Sequence, residues 1–246
     1  MLAAVLLAAL PLAASAWEWQ LSFGPWTLQP WTSPAERQAQ RIVSSEANRL
    51  LAPLLSEFSI IAFDPDIAMR SRGHFFSAGC WRRLGGGRFA VGLAAAWLDL
   101  ALPFTLHDER DIYYQGFPVA HVATRGEGRL DLNTFMLEAR TRWRVLRSGR
   151  FAAYAGPGLT LLRFNGALRL PLVASVQTLF GSIELRETEE RTLAELRTDN
   201  ADVPAWSLAP ALYSSLHYRL GSGSRIFLEI SLSQGTFLAA GISFGQ

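Results

Sequence analysis

Four charged residues share one side of an otherwise apolar, alternating stretch: Glu138, Arg140, Arg142 and Arg144, interleaved with Phe135, Leu137, Ala139, Trp143 and Val145. Residues two apart on an extended chain point the same way, so one face carries a carboxylate and three guanidinium groups. Such a row can line a watery constriction that prefers anions. It can also knit an internal ion-pair network with carboxylates from other strands, for which Glu18 and Glu229 are candidates, and Arg219 adds a further charge on an inward-type face. Narrow barrels are usually filled by side chains, which favours the network over the constriction.

Other chemistry-bearing residues lead less far. Ser215 and His217 share a face, the pairing a lipid-modifying enzyme would need, but no acidic residue is placed to orient the imidazole, so no catalytic residue is assigned. His107, Asp108, Glu109, Asp111 and His121 crowd one segment without a recognised ligand spacing, so no metal and no cofactor is expected. Gly85, Gly86 and Gly87 lack the Lys-Ser/Thr of a phosphate loop and read as a turn. Cys80 is the one cysteine, which excludes an internal disulfide. A formal net charge of +2 argues against a nucleic-acid partner, although all 23 basic residues are arginine.

The elements that must position these groups are strands. Ile226, Leu228, Ile230 and Leu232 alternate with Phe227, Glu229, Ser231 and Ser233, and the pattern restarts with Leu238, Ala240, Ile242 and Phe244. Trp206, Leu208, Pro210, Leu212, Leu216, Tyr218 and Leu220 form another greasy face, opposite Ala211, Tyr213, Ser215, His217 and Arg219. In each case the second face is small, polar or singly charged. That mixture suits a crowded lumen, leaving the aliphatic face to meet lipid. Tyr218 lies twelve residue steps beyond Trp206, which at about 3.3 Å rise and roughly 40° tilt covers about 30 Å, a bilayer's apolar thickness. Trp17, Trp19, Trp97, Trp143, Trp206 and Tyr218 are the expected interface aromatics. The fold class expected is all-β, an eight-stranded antiparallel transmembrane barrel, with ten strands if LPLVASVQTLFGSIEL contributes two more.

Export is expected from residues 1–16, a short apolar run ending in Ala14, Ser15 and Ala16, read as a cleaved signal peptide. The barrel domain then covers 17–246, with a helical insertion over 30–67 in its first long connection. There Ser33, Pro34 and Glu36 start a helix over 33–58, kinked at Pro53, whose face of Val43, Ala47, Leu50, Leu54 and Phe58 either plugs the barrel or stays free for a partner or lipid. Residues 101–127 read as a polar, aromatic loop, and 164–204 as the longest connection, with IELRETEERTLAELRTDN a short helix or hairpin. Turns at LGGG, RSG and GSGS are minimal, whereas the intervening connections run to about 40, 27 and 40 residues. Barrels of the outer membrane keep short turns periplasmic and long loops outside.

The leader, YAGPGLTLLRF, the turn pattern and the terminal FLAAGISFG resemble the small outer-membrane β-barrel proteins of diderm bacteria, such as the OmpA-type membrane domain, OmpX and OmpW. The family's final strand usually ends in Phe, and here Phe244 is followed by Gly245 and Gln246. The resemblance implies a cell outer-membrane location, lipid around the barrel, the barrel-assembly machinery as a biogenesis partner, and display of long loops to an unspecified surface ligand. A narrow pore for small solutes is the alternative; a lipid-modifying enzyme or a soluble ligand-binding barrel are the remaining ones.

Overall fold

Strands form wherever the alternation runs, and they are longer than the apolar pattern alone suggests. The computed structural model describes residues 17–27, 40–51, 66–69, 71–84, 88–114, 117–178, 180–199, 203–233 and 235–245. The expected leader, the helix start at Ser33 to Glu36, its continuation past Leu51 with Pro53, and the glycine run 85–87 lie outside them. In chain order the elements are β1 (Trp17–Thr27), helix α1 (residues 40–51), β2 (Asp66–Met69), β3 (Arg72–Leu84), β4 (Phe89–Tyr114), β5 (Phe117–Ser148) and β6 (Phe151–Thr178). Then follow β7 (Gly181–Thr192), helix α2 (Leu193–Asp199), β8 (Trp206–Arg219), β9 (Ser224–Leu232) and β10 (Thr236–Phe244).

All ten strands belong to one antiparallel sheet. Eight of them close a ring, β1, β3, β4, β5, β6, β8, β9 and β10. The closure runs through β1, where Trp19 pairs with Cys80 of β3 on one side and Phe244 of β10 on the other. Closure leaves the ring without a free edge, so the backbone of the wall is satisfied without water. β2 and β7 stand outside the ring, each paired to the far part of a longer strand: Ile67 with Leu106, and Ala174 with Leu185. LPLVASVQTLFGSIEL does not add two strands to the barrel: its first half prolongs β6 beyond the ring, and its end starts β7, which pairs with that prolongation.

The segment read as a loop over 101–127 is instead a continuous hairpin. β4 and β5 stay in register from Phe89/Trp143 to Ile112/Ala120, with an irregularity only near the tip. The physical reason for the misreading is a phase change. Up to Trp97 the large side chains of β4 sit at odd positions and point outward; from Leu98 they sit at even positions, and Leu98, Leu100, Leu102, Phe104 and Leu106 are buried inward while Asp99, Thr105, His107 and Glu109 are exposed. β5 and β6 make the same switch near Met136 and Leu162, beyond which Leu130, Leu168, Leu170, Leu172 and Val176 turn in and Arg125, Arg129 and Arg169 turn out. The backbone does not change, only which face is apolar. From Trp97 to the tip this hairpin extends, at ~3.3 Å per residue and ~40° tilt, about 40 Å beyond the barrel.

A five-stranded blade of β2, β4, β5, β6 and β7 thus rises from one end of the barrel. Its apolar inner face is covered by the helices: Val43, Ala47 and Leu51 of α1 and Leu193 and Leu196 of α2 belong to the same buried cluster as Leu98 to Leu106. At the barrel top the cluster continues through Trp26 stacked on Phe237 at 5.4 Å between ring centres, and Phe75 edge-on to Phe237 at the same separation. In β3 the large residues Phe75, Phe76 and Trp81 do not alternate, and burial settles the faces: Phe75 and Trp81 point inward, Phe76 outward.

At the opposite end the turns are short. Ser148–Gly149–Arg150 reverses the chain with Gly149 at φ 55°, a conformation that a residue without Cβ adopts at no steric cost.

Candidate functional site: a sealed lumen between two mouths

Within the barrel the inward positions of the wall carry charge, and they are arranged in two layers. The lower layer centres on Glu18, 1% exposed. Its Oε2 accepts hydrogen bonds from Arg83 Nη2 at 2.7 Å, Arg142 Nη2 at 2.9 Å and Arg225 Nη1 at 2.9 Å, three guanidinium groups from three strands. Oε1 accepts from Gln20 Nε2 at 3.1 Å, and Gln20 in turn accepts from the Trp81 indole N–H at 2.7 Å. The Arg142 guanidinium lies 4.3 Å from the centre of the Trp81 ring and 4.7 Å from that of Tyr154. Aromatic faces on both rings hold the cation by their quadrupoles. Gly92 leaves the space for Trp81, since a Cβ there would fall 2.6 Å from the indole.

The upper layer inverts the ratio. Arg140 is held between Glu138 and Glu229, donating Nη1 to Glu229 Oε1 at 2.6 Å and Nη2 to Glu138. Thr160 Oγ1 donates to Glu138 Oε1 at 3.2 Å, Arg140 sits 5.2 Å from the Tyr213 ring, and the Tyr213 hydroxyl donates to the carbonyl of Thr141. Each charge in low dielectric has an opposite charge beside it, and removing one partner would leave the other uncompensated; the Arg140 and Arg142 Nε atoms alone among these guanidinium nitrogens are buried without a hydrogen-bond partner. Together the layers hold three carboxylates and four guanidinium groups.

The remaining residues fall elsewhere. Arg144 stands at the short-turn mouth, one step below Arg142, and Arg219 is exposed at the same mouth rather than inside. Arg83 and Arg225, central to the lower layer, are additions of the structure: Arg225 shares the face of Phe227, a parity the sequence offers, whereas the face of Arg83 is fixed only once burial places Trp81 inward.

The aromatic residues expected at the interfaces stand on the outer wall in two girdles. Trp17, Trp19, Trp143 and Tyr218 ring the short-turn end, joined by Phe89 at 5.4 Å from Trp143 and Phe151 at 4.9 Å from Tyr218. Trp97 and Trp206, with Phe23 and Phe76, ring the other end. Between the girdles the exposed outer face is Leu21, Leu137, Leu159, Leu208, Leu212, Leu228 and similar residues. An aliphatic belt outside and ion pairs inside is the inverse of a water-soluble protein, and it makes this a transmembrane β-barrel. Among the described residues no helix is long and apolar enough to cross a membrane, which says nothing of strands.

Two further groups can be placed. Ser215 Oγ and His217 Nε2 are 3.1 Å apart and buried, the imidazole lying between Phe227 and Tyr154, and His217 Nδ1 has no hydrogen-bond partner. Four residues of the acidic, histidine-bearing segment end up on the blade's outer face as pairs, His121 with Asp111 at 2.8 Å and His107 with Glu109 at 3.6 Å, while Asp108 pairs with Arg110 at 2.8 Å. Among the described residues no group of three or more His, Cys, Asp or Glu could hold a metal ion.

On the blade, α1 is strapped to β7. Arg191 reaches Glu46 at 3.0 Å and also Asp199, and Arg49 reaches Glu46 at 2.6 Å and also Glu189. The Asp199 and Glu46 carboxylates hold the Arg191 guanidinium protonated more firmly than an ordinary arginine. α2 begins with a capping box: Glu195 N–H donates to Thr192 Oγ1 at 3.2 Å, and Thr192 N–H donates to Glu195 Oε2 at 2.7 Å, which draws the Glu195 carboxyl below its usual range.

No family model matches the chain, and no curated protein matches it either. Among solved structures it is similar to Ail, the attachment invasion locus protein of Yersinia pestis, at 12% identity over 93% of this chain and 99% of that one, with a TM-score of 0.35. It is also similar to the β domain of the Bordetella autotransporter BrkA, at 10% identity over 94% of this chain and 99% of that one, with a TM-score of 0.27. The KdgM porin follows at 9% identity over 74% and 99%, with a TM-score of 0.22.

Proposed function

We propose that this chain is a surface-interaction protein of the bacterial outer membrane, in which a filled barrel serves as anchor and the blade as the working part. The observation that carries the reading is the sealed interior. Two layers of ion pairs occupy the lower lumen, the Trp26–Phe237–Phe75 cluster occupies the upper lumen, and α1 packs over the blade's inner face. Among the described residues these layers stand one above the other in the lumen, which favours an anchor over conduction, the competing reading. What the barrel presents instead is a rigid sheet whose outer face is charged and whose tip stands far beyond the aliphatic belt. Rigid presentation of a sheet reduces the ordering cost of binding, as loose loops do not.

The associated partners belong to the same proposal. Outer-membrane lipid surrounds the aliphatic belt, the assembly machinery receives a last strand ending at Phe244, and a surface ligand meets the blade. Short turns face the periplasm, after export directed by residues 1–16.

The test has two arms. Single-channel recording on the folded, detergent-purified barrel should give silence; stable open steps would overturn the sealed-anchor reading. Intact cells should label at His121→Cys with a membrane-impermeant maleimide, and at Arg147→Cys only after permeabilisation. The reverse pattern would overturn the orientation.

A further inference from the structure

The short-turn mouth differs from everything above it. A cavity of about 250 Å³ opens there, lined by six arginines, Arg83, Arg144, Arg147, Arg150, Arg219 and Arg225, and no carboxylate lines it. Glu18 lies behind it and is already shared by Arg83, Arg142 and Arg225. Arg144, Arg147, Arg150 and Arg219 have no carboxylate within ion-pair distance among the described residues. A sphere of that volume is about 8 Å across, comparable with the Debye length at physiological salt, so salt screens these charges from one another only in part. Two of them are direct cross-strand neighbours, Arg219 opposite Arg225. Like charges so placed repel, and the repulsion is relieved by a multivalent anion between them.

Three further observations give the mouth the character of a built site. His217, 1% exposed, lines the cavity and leaves Nδ1 without a partner, a buried polar atom able to donate or accept. Arg147 and Arg150 flank the tight Gly149 turn, whose short span and register with Ala152 and Phe151 hold both backbones at the rim. Inward of the cavity stands the lower ion layer, where Glu18 is already held by Arg83, Arg142 and Arg225.

We propose that this mouth is a binding site for a small multivalent oxyanion of the phosphate class, held by bidentate guanidinium contacts from Arg144, Arg147, Arg219 and their neighbours. Guanidinium forks match the geometry of phosphate oxygens, and the volume admits a phosphate or pyrophosphate but little more. The chemistry can reach the site from two sources, a soluble phosphate compound or the phosphate of a lipid headgroup in the adjoining leaflet, with the exposed Phe151 at the rim beside it. The inference goes beyond the surface-interaction reading and stands independently of it, because it concerns the other end of the barrel.

Pyrophosphate titrated calorimetrically into the full-length, detergent-folded barrel at low salt is the test. Saturable binding that weakens at least tenfold in Arg147→Ser/Arg219→Ser, and weakens with added salt, supports the site. The double variant must keep its heat-modifiable gel migration; should it not fold, Arg147→Lys/Arg219→Lys, which retains charge but loses the fork, serves in its place and should bind more weakly than the native barrel. Absence of binding to the folded native barrel, or binding unchanged in the variants, overturns the proposal. Repeating the titration in nanodiscs with and without phosphatidylglycerol separates the sources. Competition by the anionic lipid assigns the headgroup, and unchanged pyrophosphate affinity assigns the soluble compound. A conducting barrel in the recordings above would sink the sealed-anchor reading while leaving this binding result intact.

Discussion

The lower and upper halves of this sheet are built from the same strands with opposite polarity. Between the girdles the wall is aliphatic outside and charged within, as Leu159 and Leu137 outside and Glu138, Arg140 and Arg142 inside make plain. Above Trp97 and Met136 it is charged outside and aliphatic within. Strand pairing continues across the change without interruption in β4 and β5. The lesson is that a strand does not own a polarity. What lies on each side of the wall sets it: lipid and a narrow lumen below, water and a covering helix above. The level at which the faces exchange, near Trp97, Phe135 and Arg163, therefore marks the upper membrane boundary more sharply than the aromatic girdle does.

Removing the hub of the lower interior should produce the largest effect. Glu18→Gln leaves three guanidinium groups facing one another without their counter-ion, and breaking a buried pair of this kind costs about 3–5 kcal/mol. Denaturant unfolding in detergent should show the loss as a lower midpoint, with the blade's protease resistance following the barrel's.

The inversion itself can be challenged on one face of one strand. Leu159 and Gln177 both point outward from β6, the first between the girdles and the second on the blade. Leu159→Arg should cost about 2–4 kcal/mol when the protein folds into lipid vesicles, whereas Gln177→Arg should stay within about 0.5 kcal/mol. Equal costs at the two sites would erase the boundary drawn here.

The smallest effect sharpens the water-facing half. The Glu195 carboxyl is drawn below its ordinary value of 4.5 by the Thr192 backbone N–H, so its stabilisation of α2 is complete above that value. It is lost as pH falls through the lowered folded value. Protection factors over 193–199, which correct for the intrinsic pH dependence of exchange, should fall as the pH is lowered below 4.5 while those of the barrel strands hold, and the Glu195→Gln variant should lose that pH dependence.

Much of this was legible from residue order. Alternation in Phe151–Leu162 and Ile226–Phe244 placed the wall strands and their faces, and the charge row from Glu138 to Arg144 announced an interior that is not a hydrocarbon core. The blade was hidden by its own regularity: once the apolar parity of β4 shifts at Leu98, a reader tracking one face meets Asp99, His107, Glu109 and Asp111 and sees a loop. The lower layer was half visible, because Arg83 and Arg225 sit at strand ends where a parity argument has few residues to stand on.

By itself the sequence determined the wall strands, their lipid-facing sides, the short turns at one end and the presence of an amphipathic helix, because each of these depends on local periodicity. Only the tertiary structure decided which carboxylate meets which guanidinium, that α1 lies against the blade, and that six arginines from five strands and turns converge on one mouth. Those outcomes depend on ring closure, which brings Glu18 beside Arg225 across 207 residues of chain. No local pattern carries that distance; the register of closed strands does.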